Sequence, residues 1–374
     1  MLAWWAMACQ TGEPICQPEG AELAMALEAI VDGRADGCQT DAYVRMLDER
    51  QERQGPWLQD VWVAPSADGA TFERSQARLL IDGAAVPEIV DGPDGRLFLY
   101  SVLGDLARGR REASAGSPWF QTHGLVGWGA LQLHVSDDGE TWREEPAFRV
   151  DGLMRGMVVD PEVVQQPDGT WRLYYVGIQL KRLLIPETHE GGGEPRVFAA
   201  ESRDLVHWRQ LGEVANGPSA DPVIHCGPGQ RCLMVSSGLQ WWTSNDGGQR
   251  FRPGDGPALE GFAPELVSLP DGRLRLLYNT KELGGPLHAR ISSDGGATWQ
   301  DEGQVLPPRQ AEAVSVLARS TGDHRIFFHD WKAGYSGDAA PGPGPSGGDQ
   351  AVSPNLPRRS LPASGPRERT PESP

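Results

Sequence analysis

Acidic side chains recur in one setting along this chain, each beside the start of a hydrophobic run. Glu88 follows Val86-Pro87, and Asp160 and Glu162 flank Pro161. Asp221 precedes Pro222, Glu265 follows Ala263-Pro264, and Glu312 precedes Ala313-Val314. Asp160 and Glu162 are two residues apart, so on a strand both face the same side. Were these segments to converge on one axis, their carboxylates would repel one another and some would keep protons above the ordinary carboxylate range. A protonated acid beside an ionised neighbour is the pairing that general acid–base catalysis uses. Hydrolysis of a glycosidic bond needs two such groups, whose separation selects inversion or retention. Asp160, Asp221, Glu88 and Glu265 are therefore the candidate catalytic carboxylates, with Glu162 beside them. Read without chemistry, the same acids are repeat features, partly solvated in a wet channel.

The elements that must position them are hairpins. Val159 to Tyr175 reads as a short strand, a Pro167-Asp168-Gly169 turn and a second strand. The pattern recurs through Pro93-Asp94-Gly95 and Pro270-Asp271-Gly272, and in weaker form through Gly227-Pro228-Gly229 and Thr321-Gly322-Asp323. A second motif interleaves with it. Ser292-Ser293-Asp294-Gly295-Gly296-Ala297-Thr298-Trp299 has the Asp-box pattern, with shorter or degenerate copies beginning at Ser66, Ser136, Ser202 and Ser244. Its chemistry is that of a tight turn: Ser and Asp side chains accept backbone N–H bonds, Gly takes positive φ, and an aromatic packs beneath. Five hairpins and five boxes, offset by half a unit, predict an all-β fold, a five-bladed β-propeller of four-stranded blades. The box at Ser66 precedes the first hairpin and the last hairpin has none after it. N-terminal strands are thus expected to complete the last blade, a circular closure that removes exposed sheet edges.

Blade topology puts the hairpin turns and Asp boxes on one face and the starts of the inner strands on the other. Two long connections belong to that second face. Residues 104–130 carry Trp119, Phe120, His123 and Trp128, and residues 178–195 carry Lys181, Arg182, His189 and Gly191-Gly192-Gly193. Aromatics on loops over a channel suit a carbohydrate pocket with stacking platforms, so Trp119, Trp128 and His123 are candidate substrate-binding residues with Glu162 and His329. Ordinary loop variation explains the same composition equally well.

The formal net charge of −17 argues against nucleic-acid binding. No cofactor motif and no metal-ligand spacing is present among the five cysteines, Cys9, Cys16, Cys38, Cys226 and Cys232. The apolar start before Cys9 resembles the end of a bacterial lipoprotein signal peptide, without its basic region. On that reading residues 1–9 are a truncated signal, Cys9 is the lipid anchor, and the protein is exported to the cell envelope or beyond. Cys16–Cys38 and Cys226–Cys232 would then pair. Residues 10–56 carry helical periodicity and read as a small helical N-terminal cap. Residues 57–335 form the propeller, and the Pro-, Gly- and Ser-rich residues 336–374 form a disordered tail. A monomer is expected.

The residues also resemble a known superfamily, the five-bladed glycosidases, nearest to glycoside hydrolase family 43 and its fructan-cleaving relatives. The resemblance rests on Asp160-Pro161, Asp221-Pro222, the turn from Ser202 to Trp208, and Phe327-Phe328-His329-Asp330-Trp331. It implies a propeller whose first-blade aspartate is the base, whose second-blade aspartate tunes proton affinity and whose third-blade glutamate is the acid. Asp160 matches the second of these. Val86 stands at the position of the base, with Glu88 two residues on, and Asp221 stands where the acid glutamate would be. His329 falls where that family often has a channel histidine. The Asp boxes resemble those of sialidases, which have six blades, an arginine triad and a tyrosine nucleophile; neither six units nor such a triad is evident here. A glycoside hydrolase acting on a carbohydrate, a catalytically silent propeller binding glycan or protein, and a sialidase-like exo-glycosidase are the readings the sequence leaves open, in that order.

Overall fold

The computed structural model describes residues 21–51, 55–127, 129–180, 195–217, 220–280, 284–309, 311–319 and 322–332. The chain divides into two units, Met1–Ala340 and Pro341–Pro374, and the second lies outside the described residues. So do Cys9, Cys16, Trp128, the segment 181–194 and the expected tail.

Five sheets account for the strands. From the inside outward, blade 1 comprises Ala84–Asp91, Leu97–Leu103, Gly129–Ser136 and Arg143–Glu144, with the short strand Gly124–Leu125 added to its third. Blade 2 comprises Gly156–Gln165, Trp171–Gln179, Arg196–Ser202 and His207–Asn216, with Arg149–Asp151 parallel at its edge. Blade 3 comprises Val223–Cys226, Cys232–Ser236, Gln240–Ser244 and Arg252–Pro253. Blade 4 comprises Phe262–Ser268, Leu274–Asn279, Leu287–Ser292 and Gln300–Leu306. Blade 5 takes its inner strands, Glu312–Ala318 and His324–Trp331, from the end of the repeat region and its outer strands, Gln59–Ser66 and Arg78–Asp82, from the start. Gln59–Ser66 pairs antiparallel with His324–Trp331 along its whole length, from Gln59 opposite Trp331 to Ser66 opposite His324. Each inner strand packs against the inner strands of both neighbouring blades, so the five close a ring.

Alternating apolar residues explain the packing between blades. The face of blade 1 carrying Phe98, Tyr100 and Leu133 meets the face of blade 2 carrying Leu173, Tyr175 and Trp208, and the same logic repeats around the ring. The stretches expected to be Asp boxes are hydrogen-bonded serine–aspartate turns between third and fourth strands. In blade 1 the Ser136 hydroxyl accepts from Gly139 N–H at 2.7 Å and donates to Asp138 Oδ1 at 3.0 Å. Asp138 Oδ1 also accepts from the Glu140 and Thr141 amides at 2.7 Å each, and Trp142 Nε1 donates to the Gly139 carbonyl. Equivalent serine–aspartate pairs stand at Ser66/Asp68, Ser202/Asp204, Ser244/Asp246 and Ser292/Asp294. In the Ser202 turn Leu205 occupies the left-handed position that glycine fills elsewhere, with φ 64°.

The cap is helical, α1 (Ala21–Val31) and α2 (Gly37–Gln51). Residues 104–130, expected to be a loop over the channel, instead contain two more helices, α3 (Leu106–Ser114) and α4 (Phe120–His123). Asp105 starts α3 by accepting the Arg108 amide on its side chain, which satisfies an otherwise orphaned N–H. The two pairs of helices share one core, in which Leu27, Ile30, Tyr43 and Leu47 meet Leu106, Phe120 and Val126. The Tyr43 hydroxyl donates to the Val126 carbonyl at 2.9 Å. Cys226 and Cys232 face each other across the first hairpin of blade 3 and are disulfide-bonded. Cys38 is disulfide-bonded as well. No helix among the described residues is long and apolar enough to cross a membrane.

Candidate functional site

Each blade has, within or just before its inner strand, a residue in the left-handed region: Val86 (φ 49°), Asp160 (53°), Asp221 (46°), Ala263 (46°) and Ala313 (42°). In four of the five blades the pairing register breaks at the same place, the signature of a bulge. A non-glycine residue there costs roughly 1 kcal/mol or more. The strain recurs in every blade, on valine and alanine as well as aspartate, so it belongs to the architecture and does not mark a site. It does define equivalent positions. One ring at the mouth of the channel holds Val86, Asp160, Asp221, Ala263 and Ala313. Two residues further along the strands, a second ring holds Glu88, Glu162, Val223, Glu265 and Ser315.

The second ring binds the blades together. Glu88 Oε1 accepts the Val163 amide of blade 2 at 3.1 Å, and Glu162 Oε1 accepts the Ile224 amide of blade 3 at 2.8 Å. Glu265 Oε1 accepts the Val316 amide of blade 5 at 3.0 Å, and the Ser315 hydroxyl accepts the Ile89 amide of blade 1 at 3.1 Å while donating to Glu88 Oε2 at 2.9 Å. Each of these side chains thus holds the amide one step beyond the equivalent residue of the next blade. Val223 cannot, so the junction from blade 3 to blade 4 lacks this bond. Oxygens of Glu88, Glu162 and Glu265 lie within 4.8 Å of one another, close enough to share protons or a cation. Burial is the first cause that raises all three: Glu88 is pushed up to about 7, and Glu162 and Glu265 go well above the ordinary range with the charge of Glu88 adding to it.

The first ring carries a different pair. Asp160 Oδ2 accepts the Asp221 amide at 3.1 Å. Asp221 Oδ2 accepts the hydroxyl of Ser237 at 2.5 Å, and Ser237 Oγ accepts the Ala263 amide at 3.0 Å. Asp160 is buried, while Asp221 keeps part of its surface open to the channel. Loss of water, and then the charge of Asp221, raises Asp160 well above the ordinary carboxylate range. Loss of water also raises Asp221, against the Ser237 hydrogen bond, which lowers it. The two rings line a cavity of about 30 Å³ at the mouth, room for one or two waters. Beyond the glutamates the channel widens to about 390 Å³ on the turn face, where His225 and Gln165 join the lining.

The sequence-predicted residues separate accordingly. Asp160, Asp221, Glu88, Glu162 and Glu265 all line the mouth cavity. Glu312 does not stand in series with Glu88; the bulge between Glu312 and Ser315 displaces the count, and Ser315 takes that position. Glu312 instead faces His329 Nε2 at 3.3 Å. His329 Nδ1 accepts the Val86 amide at 3.1 Å, which places the ring proton of the neutral histidine on Nε2. Trp119 and His123 are not among the residues lining the channel cavities. They stack on each other at 4.3 Å between centroids, Arg108 lies over the indole, and Trp119 packs against the core shared with the cap. Burial drives His123 down to about 4. Trp128 lies outside the described residues. Ser237 and Ser315 were missed, since serine carries no charge and their partners are remote in sequence, Ser315 and Glu88 being 227 positions apart.

No family model matches the sequence, and no curated protein does. Among solved structures the chain is similar to the GH43 protein BlXynB from Bacillus licheniformis, at 12% identity and TM-score 0.47 over 66% of this chain. It covers 49% of that protein, about half its length. It is also similar to the alpha-L-arabinofuranosidase CtGH43 from Clostridium thermocellum, at 14% identity and TM-score 0.42, covering 65% of this chain and 80% of that one. A third is Zg3597, a family 117 glycoside hydrolase of the marine bacterium Zobellia galactanivorans, at 12% identity and TM-score 0.44 over 74% and 92%. The five blades themselves are established by this chain's own sheet order and by the contacts between its inner strands.

Proposed function

We propose that this chain is a glycoside hydrolase-like propeller that cleaves a glycosidic bond at the channel mouth, with Asp160 and Asp221 as its acid–base pair. One observation carries the reading. Of five equivalent mouth positions, two adjacent ones hold carboxylates, and the other three hold Val86, Ala263 and Ala313. The fold builds the same left-handed turn on valine and alanine, so it does not require either acid. Asp160, raised further, holds the proton that passes to the leaving oxygen, and Asp221, ionised, draws a proton from the attacking water. A cavity of about 30 Å³ admits that water but no sugar ring, so the glycan rests across the mouth. Glu88, Glu162 and Glu265 set the field around the pair and hold the blades. The partner is a carbohydrate. Export to the cell envelope, with Cys9 as anchor, fits the disulfides.

The silent binding propeller remains the second reading, favoured by one feature: each of the three glutamates is already engaged by a backbone amide. Hydrolysis by the full chain of a panel of aryl glycosides, arabinans, xylans and fructans separates the two. Turnover is expected. Folded protein that binds a glycan without cleaving any would establish the second reading.

A further inference from the structure

A side chain outside the carboxylate rings bears on which of the two aspartates holds the proton. We propose that Ser237 is a positioning residue that assigns the two roles, its hydroxyl hydrogen directed onto Asp221 so that Asp221 stays ionised and Asp160 keeps the proton. This inference rests on the acid–base reading of the same pair.

A backbone N–H can only donate, so the Ala263 amide at 3.0 Å occupies an acceptor position on Ser237 Oγ. The hydroxyl has one hydrogen, and Asp221 Oδ2 lies 2.5 Å away, within the range of a short bond to a charged oxygen. The chain of donation therefore runs from blade 4 through Ser237 into Asp221. Asp160 receives less: the Asp221 amide reaches its Oδ2 at 3.1 Å. A hydroxyl at 2.5 Å stabilises a carboxylate charge more than an amide at 3.1 Å does, so of two acids that cannot both ionise easily, Asp221 ionises first. Ser237 is itself buried. The other titratable groups near the pair, among the described residues, are His329 and its partner Glu312 on blade 5, and Glu88, Glu162 and Glu265 in the next ring. Their arrangement treats neither aspartate with a hydroxyl donor. The raised proton affinities point the same way, since Asp160 is lifted well above its ordinary value and Asp221 is held back by Ser237.

The test is a titration of the two carboxyl carbons by NMR in the full chain, assigned with Asp160→Asn and Asp221→Asn. In the parent chain Asp221 should titrate below Asp160. Ser237→Ala should raise the Asp221 midpoint by about one pH unit and narrow or invert the order, and Ser237→Thr, which keeps a hydroxyl, should restore it. On a cleaved substrate, Ser237→Ala should lower kcat about tenfold to a hundredfold with KM little changed and move the acid limb of the pH profile upward. Asp221 titrating above Asp160 in the parent chain overturns the proposal, as does an order that Ser237→Ala leaves untouched. If Ser237→Ala fails to fold, the parent order and Ser237→Thr still decide. Absence of turnover with the expected titration order would instead count against the glycosidase reading alone.

Discussion

At the scale of single residues, the glutamates of the second ring tie one blade to the next through backbone amides. Glu162 is one of them. Its carboxylate accepts the Ile224 amide of the next blade while lying beside two other buried glutamates. Glu162→Gln keeps an oxygen for that amide and removes the cost of burying an ionisable group beside two others, so stability should be unchanged or raised. Glu162→Ala leaves the amide without its acceptor and should cost about 1–3 kcal/mol. Urea unfolding of both variants checks this; equal destabilisation would mean that the charge, not the hydrogen bond, holds the blades. The carboxylates themselves were legible in the sequence, because each stands beside a proline ahead of an apolar run. Their division into two rings was not. It depends on the bulge found in four of the five inner strands, which in blade 5 shifts Glu312 out of line and puts Ser315 in. Trp119 and His123 were legible as aromatic residues on a long connection, but that connection folds into α3 and α4, packing Trp119 against the helical core and His123 between Trp119 and Phe148.

At the scale of elements, blade 3 has the shortest inner strand of the ring. Its inner strand, Val223–Cys226, has only four residues. Val223 provides no bond to blade 4, where the other junctions have a glutamate or Ser315. The disulfide between Cys226 and Cys232 closes the hairpin at the end away from the mouth. Replacing both cysteines by serine should therefore destabilise the protein by about 2 kcal/mol, the cost for a short closed loop. Hydrogen exchange should show the added opening concentrated in blade 3. Opening spread evenly over all blades would show that the ring melts as one unit. Hairpins and Asp boxes were readable as elements because turn chemistry is local, a serine, an aspartate and a left-handed residue within a few positions. The strength of each junction was not readable, since it depends on which residue falls opposite an amide in another blade.

At the scale of the molecule, the count of repeats and their half-unit offset made the five blades and the pairing of first with last legible. The docking of the cap was not, since it needs the helices within residues 104–130. The ring of buried acids also gives the whole protein a pH dependence. Glu88 rises from 4.5 to about 7 on folding, so the folded state binds more protons than the unfolded state between those values. Stability should then fall as pH rises from about 4.5 to 7, by on the order of 3 kcal/mol for this one group. Aspartates of the boxes act in the opposite sense. Asp138 and Asp294 are held at about 2 by their turn amides and hydroxyls, so their contribution is present above the ordinary aspartate range and lost as pH falls through about 2. Thermal unfolding across pH 4 to 8 should show a decline above pH 5 that Glu88→Gln flattens. A curve that rises toward pH 8 would mean that the glutamates are not protonated together in the folded channel.

The most direct measurement compares hydrolysis by the full chain with that by Asp160→Asn and Asp221→Asn, beside Asp271→Asn in an exposed turn as control. On whichever glycoside the parent chain cleaves, each mouth variant should lose a hundredfold or more in kcat with the fold intact, and the turn variant should lose nothing. Turnover that survives both mouth substitutions would contradict the assignment of chemistry to this pair.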